Sequence, residues 1–167
     1  LTGLEGRYQL GVLMLPGELS PGAASVATTL ESSGASALEP AGHAWEWGGA
    51  TWRCLSYRSQ SSGAASCAVL VTGTSGCVLV LGDAGTGDQE ELAAIYAASV
   101  RADVLVAEPG GSLSPALLAA VRPQTVVVPL ASGGSTAAAP PGTAVLRTST
   151  AGDVRFVEMA GGLVQDG

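Results

Sequence analysis

The sequence predicts a single α/β domain in which helices pack against a mixed β-sheet. The first observation is that strand-length apolar runs alternate with helical patterns between residues 77 and 130. The second is that shorter segments before this region are typical of β-hairpins. The chain has 167 residues, of which 47% are hydrophobic and 13% charged. This is enough apolar surface for one core, so we expect one domain over residues 1–167.

The N-terminal part predicts one strand and one helix. Residues 11–15 (GVLML) form a short apolar run that stops before Pro16. Ser20 followed by Pro21 is a typical helix start, because proline fits the first helical position. We expect this helix to end at Gly34.

Two hairpins are predicted next. The first joins residues 45–47 to 51–55 through Gly48 and Gly49. Residues 56–66 are small and polar and predict a loop. The second joins Cys67–Val71 to Cys77–Leu81 through a Gly-Thr-Ser-Gly turn, with Thr72 opposite Cys77. Because these two runs are apolar throughout, we expect both of their faces to be covered.

The most regular helical pattern follows the second hairpin. Asp88 and Glu91 resemble a capping box, and apolar residues repeat after them at helical spacing up to Val100. Beyond this helix the sequence predicts a strand at 104–107, a helix at 116–121 opened by Ser114-Pro115, and a strand at 125–130. Residues 131–143 are low in complexity and predict a mobile surface loop. Residues 144–147 and 154–158 predict a terminal hairpin.

The charge of the chain disfavours tight binding to DNA by this domain alone. Fourteen acidic residues stand against seven arginines, there is no lysine, and the net charge is -7. Proteins that hold nucleic acid through its phosphates need a basic surface. The arginines are scattered along the sequence, so DNA is a possible partner but not a tightly bound one.

The chain contains neither a membrane span nor a signal peptide pattern. No apolar run approaches the roughly 20 residues that cross a bilayer. The sequence begins with Leu1 rather than methionine, and we expect it to be a fragment of a longer protein.

The cysteines fit no zinc pattern, which needs pairs two to four residues apart. With Thr72 opposite Cys77, Cys67 and Cys77 would lie about 17 Å apart along the ladder. This is too far for a disulfide. We expect Cys54, Cys67 and Cys77 to be free thiols that pack as small hydrophobic residues.

The glycine-rich loop at 82–87 does not match a nucleotide site. Its glycines have the spacing of a P-loop, but Asp88 and Gln89 stand where lysine and a hydroxyl residue are required. The glycine order also differs from the dinucleotide fingerprint, so no nucleotide cofactor is expected. Asp83 directly follows an apolar strand, where it is either a metal ligand or part of a turn.

The motifs together resemble a known family. SCAVLVTGTSGCVLVLGDAG, QEEL, ADVLV, GGSLS, LLAAVRP and LRTSTAGDVRF occur in that order, after an opening LTGLEGRYQLGVLMLPG. The chain resembles the C-terminal metallo-β-lactamase-like domain of ComEC/Rec2-type competence proteins, which import DNA in natural transformation. The resemblance covers almost the whole chain. Its most specific parts are Ser66-Cys67, Gly82-Asp83, Gly111-Ser112 and Arg147-Thr148 with Gly152.

The resemblance implies a four-layer αββα sandwich with mixed sheets, lacking its first strands in this fragment. It also implies two divalent metals such as zinc or manganese, and degradation of the non-transported DNA strand. The domain would lie on the extracytoplasmic side of the inner membrane, beside the membrane channel domain of its parent protein. Asp83 corresponds to the aspartate that bridges the two metals in the family.

Most of the family's metal ligands are missing from this chain. The family's His-His-Gly-Ser falls on residues 109–112, which are Pro-Gly-Gly-Ser. No histidine occurs in 131–143, where the family has Gly-His-Pro, and its first histidine cluster would precede Leu1. We therefore expect no bound metal and a degenerate, hydrolytically inactive structural or interaction module.

Two alternatives remain open at this point. One is an active metal-dependent hydrolase or nuclease, with upstream ligands completing a site around Asp83. The other is a small anion-binding domain that uses the backbone N–H groups of Gly110, Gly111 and Ser112. The simpler interpretation of this loop is a turn that leads into a helix cap.

The remaining candidate residues have structural interpretations. We expect His43 to be structural, because no partner ligands accompany it. The acidic residues are expected to cap helices or to face solvent. The tryptophans are expected to pack on the sheet instead of stacking on single-stranded DNA. These residues are Glu46, Asp88, Glu90, Glu91, Trp45, Trp47 and Trp52.

Overall fold

The computed structural model describes residues 11–14, 21–38, 42–61, 63, 65–129 and 139–166. In chain order its elements are β1 (Val12–Met14), α1 (Pro21–Ser32), β2 (Ser36–Leu38), β3 (Ala44–Trp47), β4 (Ala50–Arg58), β5 (Ala65–Thr72), β6 (Cys77–Val80), α2 (Thr86–Tyr96), β7 (Val104–Val106), α3 (Pro115–Val121), β8 (Thr125–Val128), β9 (Ala144–Arg147), α4 (Thr148–Ala151), β10 (Arg155–Met159) and β11 (Gly162–Asp166). The described part of the chain is an α/β fold, as predicted.

Seven strands form the main sheet in the order β3-β4-β5-β6-β7-β8-β9. Neighbouring strands from β3 to β6 are antiparallel, and neighbouring strands from β6 to β9 are parallel. Antiparallel strands need only tight turns between them, whereas the parallel pairs β6–β7 and β7–β8 are connected through α2 and α3. The sheet is therefore mixed, and its two halves correspond to the hairpin and the alternating regions of the sequence.

Both predicted hairpins are present in the sheet. Gly48 and Gly49 have φ of 62° and 81°, and Trp47 pairs with Ala50. Two consecutive positive φ angles are typical of the type I′ turn that glycine pairs favour. The second hairpin has Thr72 opposite Cys77, as predicted.

The predicted loop at 56–66 is shorter than expected. Strand β4 continues to Arg58 and β5 begins at Ala65, so only 59–64 connects them. Ser56 pairs with Cys67 and Tyr57 with Ser66. Ladder hydrogen bonds to a well-defined neighbour hold these polar residues in extended conformation, although their own composition favours a loop.

The two central helices begin differently. Helix α2 starts at Thr86 after Gly85, two residues before the predicted start, and Gly85 makes no side-chain cap. Helix α3 has the predicted cap, in which the Ser114 hydroxyl accepts a hydrogen bond from the Leu117 N–H at 3.1 Å. No helix in the described ranges is both long and apolar enough to cross a membrane.

The C-terminal prediction was wrong. Residues 144–147 do not pair with 154–158, because β9 joins the main sheet parallel to β8 and β10 pairs with β11. Val145 packs against the main core, so strand β9 gains burial that a terminal hairpin would not provide. Strand β2, which the sequence did not predict, pairs with β1 in a separate two-stranded sheet. Most of the predicted loop 131–143 lies outside the described residues.

The main sheet has two unlike faces. The helix face carries Leu70, Leu79, Leu105 and Val126, which pack against α2, α3 and the 3₁₀ turn Ala97–Val100. The opposite face, here called the valine face, carries Val69, Val80, Val106 and Cys54. Its three valines are half-buried and do not belong to the main core. Helices α2 and α3 pack on the helix face, whereas the valine face is covered unevenly, since Cys54, Val104 and Val127 are buried there. The predicted covering of both faces is therefore only partial on the valine face.

Candidate functional site

The candidate site lies where the parallel strands β6 and β7 end. Carboxyl ends of neighbouring parallel strands meet at one edge of a sheet, and binding sites of α/β proteins form there. After β6 the chain turns at Gly82, whose φ is +66°. The Ala84 N–H donates to the Leu81 carbonyl at 3.4 Å and closes this turn. Asp83 is exposed at the corner, where we predicted a metal ligand or a turn residue.

The surroundings of Asp83 do not fit a dinuclear metal site. Nowhere in the described residues do three or more His, Cys, Asp and Glu side chains form a group that could hold a metal ion. A pair of divalent ions needs several imidazole and carboxylate ligands as well as a bridging one. Asp83 supplies only one carboxylate, so the described residues around it do not fit two metal ions.

The loop predicted to bind an anion is already bonded to a side chain of the protein. The Glu108 carboxylate accepts hydrogen bonds from the N–H of Gly110 at 2.6 Å and of Ser112 at 2.8 Å. The Gly111 N–H donates to the Glu108 backbone carbonyl at 2.8 Å. Two of these N–H groups donate to one carboxylate, so an external anion would have to displace Glu108.

Glycine at position 110 makes this arrangement possible. A Cβ atom there would lie 2.6 Å from a carboxylate oxygen of Glu108. Such a contact is too short, so any larger residue would push the carboxylate away. The sequence signal for this bond was an acidic residue two positions before a Gly-Gly pair, and it was missed.

Gln89 connects the two loops of the corner. Its side chain is fully buried. Its Nε2 donates to the carbonyls of Ala84 at 2.8 Å and Ser112 at 2.9 Å, and its Oε1 accepts from the Ser114 N–H at 2.7 Å. This network assigns the amide orientation, because only the NH₂ group can donate to both carbonyls. Gln89 therefore fixes the Asp83 loop against the 109–114 loop.

The acidic residues of α2 were only partly interpreted correctly. Asp88 is 6% exposed and accepts from the Gln60 N–H at 2.6 Å and the Ser59 hydroxyl at 3.3 Å. Glu91 accepts from the Arg58 N–H at 3.2 Å. Both carboxylates therefore connect α2 to the β4–β5 loop and neither caps the helix. Glu90 is exposed, as expected for a solvated residue.

Tyr57 is a polar residue of this corner that the sequence interpretation missed. It is 5% exposed, and burial raises the pKa of its hydroxyl, against a hydrogen bond with Ser66 that lowers it. The negative charges of Asp88 and Asp83 raise this pKa further. The hydroxyl stays protonated as a neutral donor beside two carboxylates. The corner is therefore anionic, which disfavours phosphate groups.

The aromatic residues and His43 lie elsewhere, on the edge hairpin. Trp45 and Trp52 stack with ring centroids 6.0 Å apart, and Trp47 lies 5.5 Å from Trp52. Trp47 is 69% exposed, so it packs on its neighbours without being buried. Glu46 accepts from the Thr51 hydroxyl. His43 directly precedes the edge strand β3, and its carbonyl accepts a hydrogen bond from the Cys54 N–H.

Comparison of the chain with protein-family models, curated proteins and solved structures found no match. The structure itself defines an α/β domain with a mixed seven-stranded sheet. Any more specific family assignment depends on the sequence motifs alone.

Proposed function

We propose that this chain is a metallo-β-lactamase-like domain of a ComEC/Rec2-type DNA-uptake protein that acts as an interaction module without hydrolytic activity. The ordered motifs of the sequence support the family, and the mixed sheet with helices on one face is compatible with half of an αββα sandwich. A shared fold does not by itself imply the family's activity. The site residues support the second half of the proposal, which is the lack of hydrolytic activity.

The observation that supports an inactive module is the isolation of Asp83. In the resemblance Asp83 corresponds to a bridging ligand, yet the neighbouring loop ends in Pro-Gly-Gly-Ser, and the N–H groups of Gly110 and Ser112 bond to Glu108. The corner is built from bonds that hold loops together, including those of Gln89 and Asp88. Such bonds stabilise a surface and leave no activated nucleophile beside Asp83 in the described part of the chain.

The proposed partner is the membrane channel domain of the parent protein, on the extracytoplasmic side of the membrane. The half-buried apolar residues of the valine face offer a surface for this contact. Half-exposed apolar patches of this kind are typical of protein interfaces. DNA would be held by the assembled protein, because this domain is too acidic to bind it tightly.

The test of this proposal is a nuclease assay on single- and double-stranded DNA with added zinc or manganese. The purified domain should release no more nucleotide than a buffer control, and Asp83→Ala should behave identically. Elemental analysis of both proteins after dialysis against these metals should show the same content. Metal-dependent cleavage that disappears in Asp83→Ala would establish the hydrolase alternative instead.

The proposed interaction is tested separately, by measuring the affinity of this domain for the channel domain of the same protein. Val69→Thr keeps a β-branched residue in the strand but adds a hydroxyl to the valine face. It should weaken binding to the channel domain at least about tenfold, since a polar group would be buried there without a partner. Exposed Thr74→Ala on the β5–β6 turn is the control, and equal binding by both variants would contradict the proposed surface.

A further inference from the structure

Three sulfur-bearing residues lie on or against the valine face, the same face that the proposed function uses for contact with the channel domain. Cys54 pairs with Val69 and Ser56 pairs with Cys67, so the two cysteines are diagonal neighbours on one face. Each thiol affects the pKa of the other, as expected for thiols that are diagonal neighbours in the ladder. The Cys54 thiol also donates to the Met14 Sδ at 3.4 Å. Met14, Cys54 and Cys67 are here called the sulfur cluster.

The sulfur cluster is partly shielded from solvent, because one of its thiols is buried and its other two residues are partly exposed. Cys54 is 4% exposed, whereas Cys67 and Met14 are half-buried. An ion could reach the thiols past Cys67 and Met14 without unfolding the sheet. Val69, beside Cys54, is apolar, and a hydrophobic surround of this kind limits the access of water to a bound metal.

An unpartnered hydroxyl lies beside the cluster. The Ser56 Oγ is buried and has no hydrogen-bond partner, and Ser56 is directly opposite Cys67 on the same face. A buried hydroxyl without a partner costs roughly 1–3 kcal/mol. A thiol is a weak acceptor, but a thiolate carries a full charge and would accept this hydrogen bond. The orphaned hydroxyl is thus explained if the cysteines lose their protons in a second state.

We propose that the sulfur cluster binds one copper(I) ion, with the thiolates of Cys54 and Cys67 and the thioether of Met14 as ligands. Soft thiolate and thioether ligands select copper(I), whereas calcium and magnesium require oxygen ligands. Structural zinc takes four ligands, and this cluster provides three sulfurs. The sulfur cluster lies on the valine face and shares no residue with the corner around Asp83.

The binding step balances without any oxidant. Copper(I) displaces one proton from each thiol, two copper–thiolate bonds form, and two protons pass to solvent. The Met14 Sδ, which accepts a hydrogen bond from the Cys54 thiol in the metal-free state, is freed to coordinate the ion. The Ser56 hydroxyl then donates to a thiolate sulfur and acts as a positioning residue. No redox change of the metal or the protein is involved.

The test uses the whole chain, reduced and kept without oxygen, in competition with bicinchoninate for copper(I). We expect one equivalent of copper, release of two protons, and sulfur-only coordination in X-ray absorption spectra. Cys54→Ser and Cys67→Ser should each lose the bound ion. Met14→Leu and Ser56→Ala should weaken it at least about tenfold, as outer and weaker ligands do.

Cys77→Ser is the matched control, because Cys77 is a half-buried thiol on the helix face. It should bind copper as the wild type does, and circular dichroism should confirm that every variant is folded. Uptake that survives in the Cys54→Ser, Cys67→Ser double variant would overturn the proposal. So would nitrogen coordination, which would point to His43 across the strand from Cys54. No step of this test involves DNA or Asp83, so its result is independent of the proposed function.

Discussion

The two faces of the main sheet are made of similar residues but have different surroundings. Leu79 and Val80 are consecutive in β6, yet Leu79 is fully buried under the helices and Val80 is half-buried on the valine face. The same holds for Leu105 and Val106 in β7. Apolar sequence alone therefore did not determine burial. What covers each face determined it: within the described residues, α2, α3 and the 3₁₀ turn pack on the helix face, whereas on the valine face Met14 of β1 contacts Cys54.

The two faces also differ in polar chemistry. At the end of the helix face, Gln89 and Glu108 satisfy the polar groups of the loops with direct hydrogen bonds. On the valine face, the Ser56 hydroxyl has no partner and two thiols lie together. The helix face also has one unsatisfied group, because the Nε of Arg53, opposite Leu70, is buried without a partner. What distinguishes the valine face is that its unsatisfied hydroxyl lies beside sulfur.

The largest difference in stability should appear between alanine variants of two consecutive residues of β6, Leu79 and Val80. Leu79→Ala should lower the free energy of unfolding by about 2–5 kcal/mol, because it leaves a cavity in a closed core. Val80→Ala should cost about 1 kcal/mol, since less surface is buried there. Urea denaturation of both variants gives the comparison. Equal losses would mean that the valine face is as tightly covered as the helix face.

The next largest effect is expected at Gln89. Gln89→Ala should cost about 2–3 kcal/mol, because two carbonyls and one N–H lose their buried partner. Gln124 is the control, since it is exposed and its side-chain Nε2 donates to the Asp103 carboxylate at 3.2 Å. Gln124→Ala should change stability by less than about 0.5 kcal/mol. Thermal melts of the two variants that coincide would show that the Gln89 network does not hold the corner.

A smaller loss is expected at Glu108. Glu108→Ala should cost about 1–2 kcal/mol, because two charge-assisted hydrogen bonds to backbone N–H groups are removed. Added phosphate should then raise the melting temperature of this variant but not of the wild type, since the loop becomes free to bind an anion. Exposed Glu90→Ala is the matched control. Phosphate stabilisation of the wild-type protein would instead support the anion-binding alternative directly.

The smallest effect at neutral pH concerns Cys54 on the valine face. Burial, followed by the neighbouring Cys67, raises the pKa of the Cys54 thiol from 9.0 to about 11. The folded protein therefore holds this proton more tightly than the unfolded chain. Its contribution to stability is complete below pH 9 and is lost as the pH rises towards 11.

Urea midpoints measured from pH 7 to 11 test this expectation. The wild-type midpoint should fall more steeply above pH 9 than that of Cys54→Ala, and the two curves should run parallel below pH 8. Parallel curves over the whole range would mean that the thiol is as accessible to solvent in the folded state as in the unfolded chain.

Short-range signals in the sequence predicted several elements correctly. The Gly48-Gly49 turn, the Thr72–Cys77 register and the Ser114 cap depend on neighbours within a few residues. The extent of β4 and the pairing of β9 were mispredicted, because both depend on partner strands. The same limit applied to the site. Asp83 was located at the strand end, whereas the bonds of Asp88, Gln89 and Glu108 depend on loops that meet only after folding.

The sequence by itself determined the α/β class, the order of the strands and helices around the second hairpin, and the position of Asp83 at the end of β6. Periodicity, turn residues and caps are local properties, so they can be recognised without knowledge of the neighbours. Only the tertiary structure decided which sheet face is buried, which loop groups are satisfied, and that Met14, Cys54 and Cys67 meet. Those facts depend on strand pairing and packing between distant segments, and a single sequence does not record such distances.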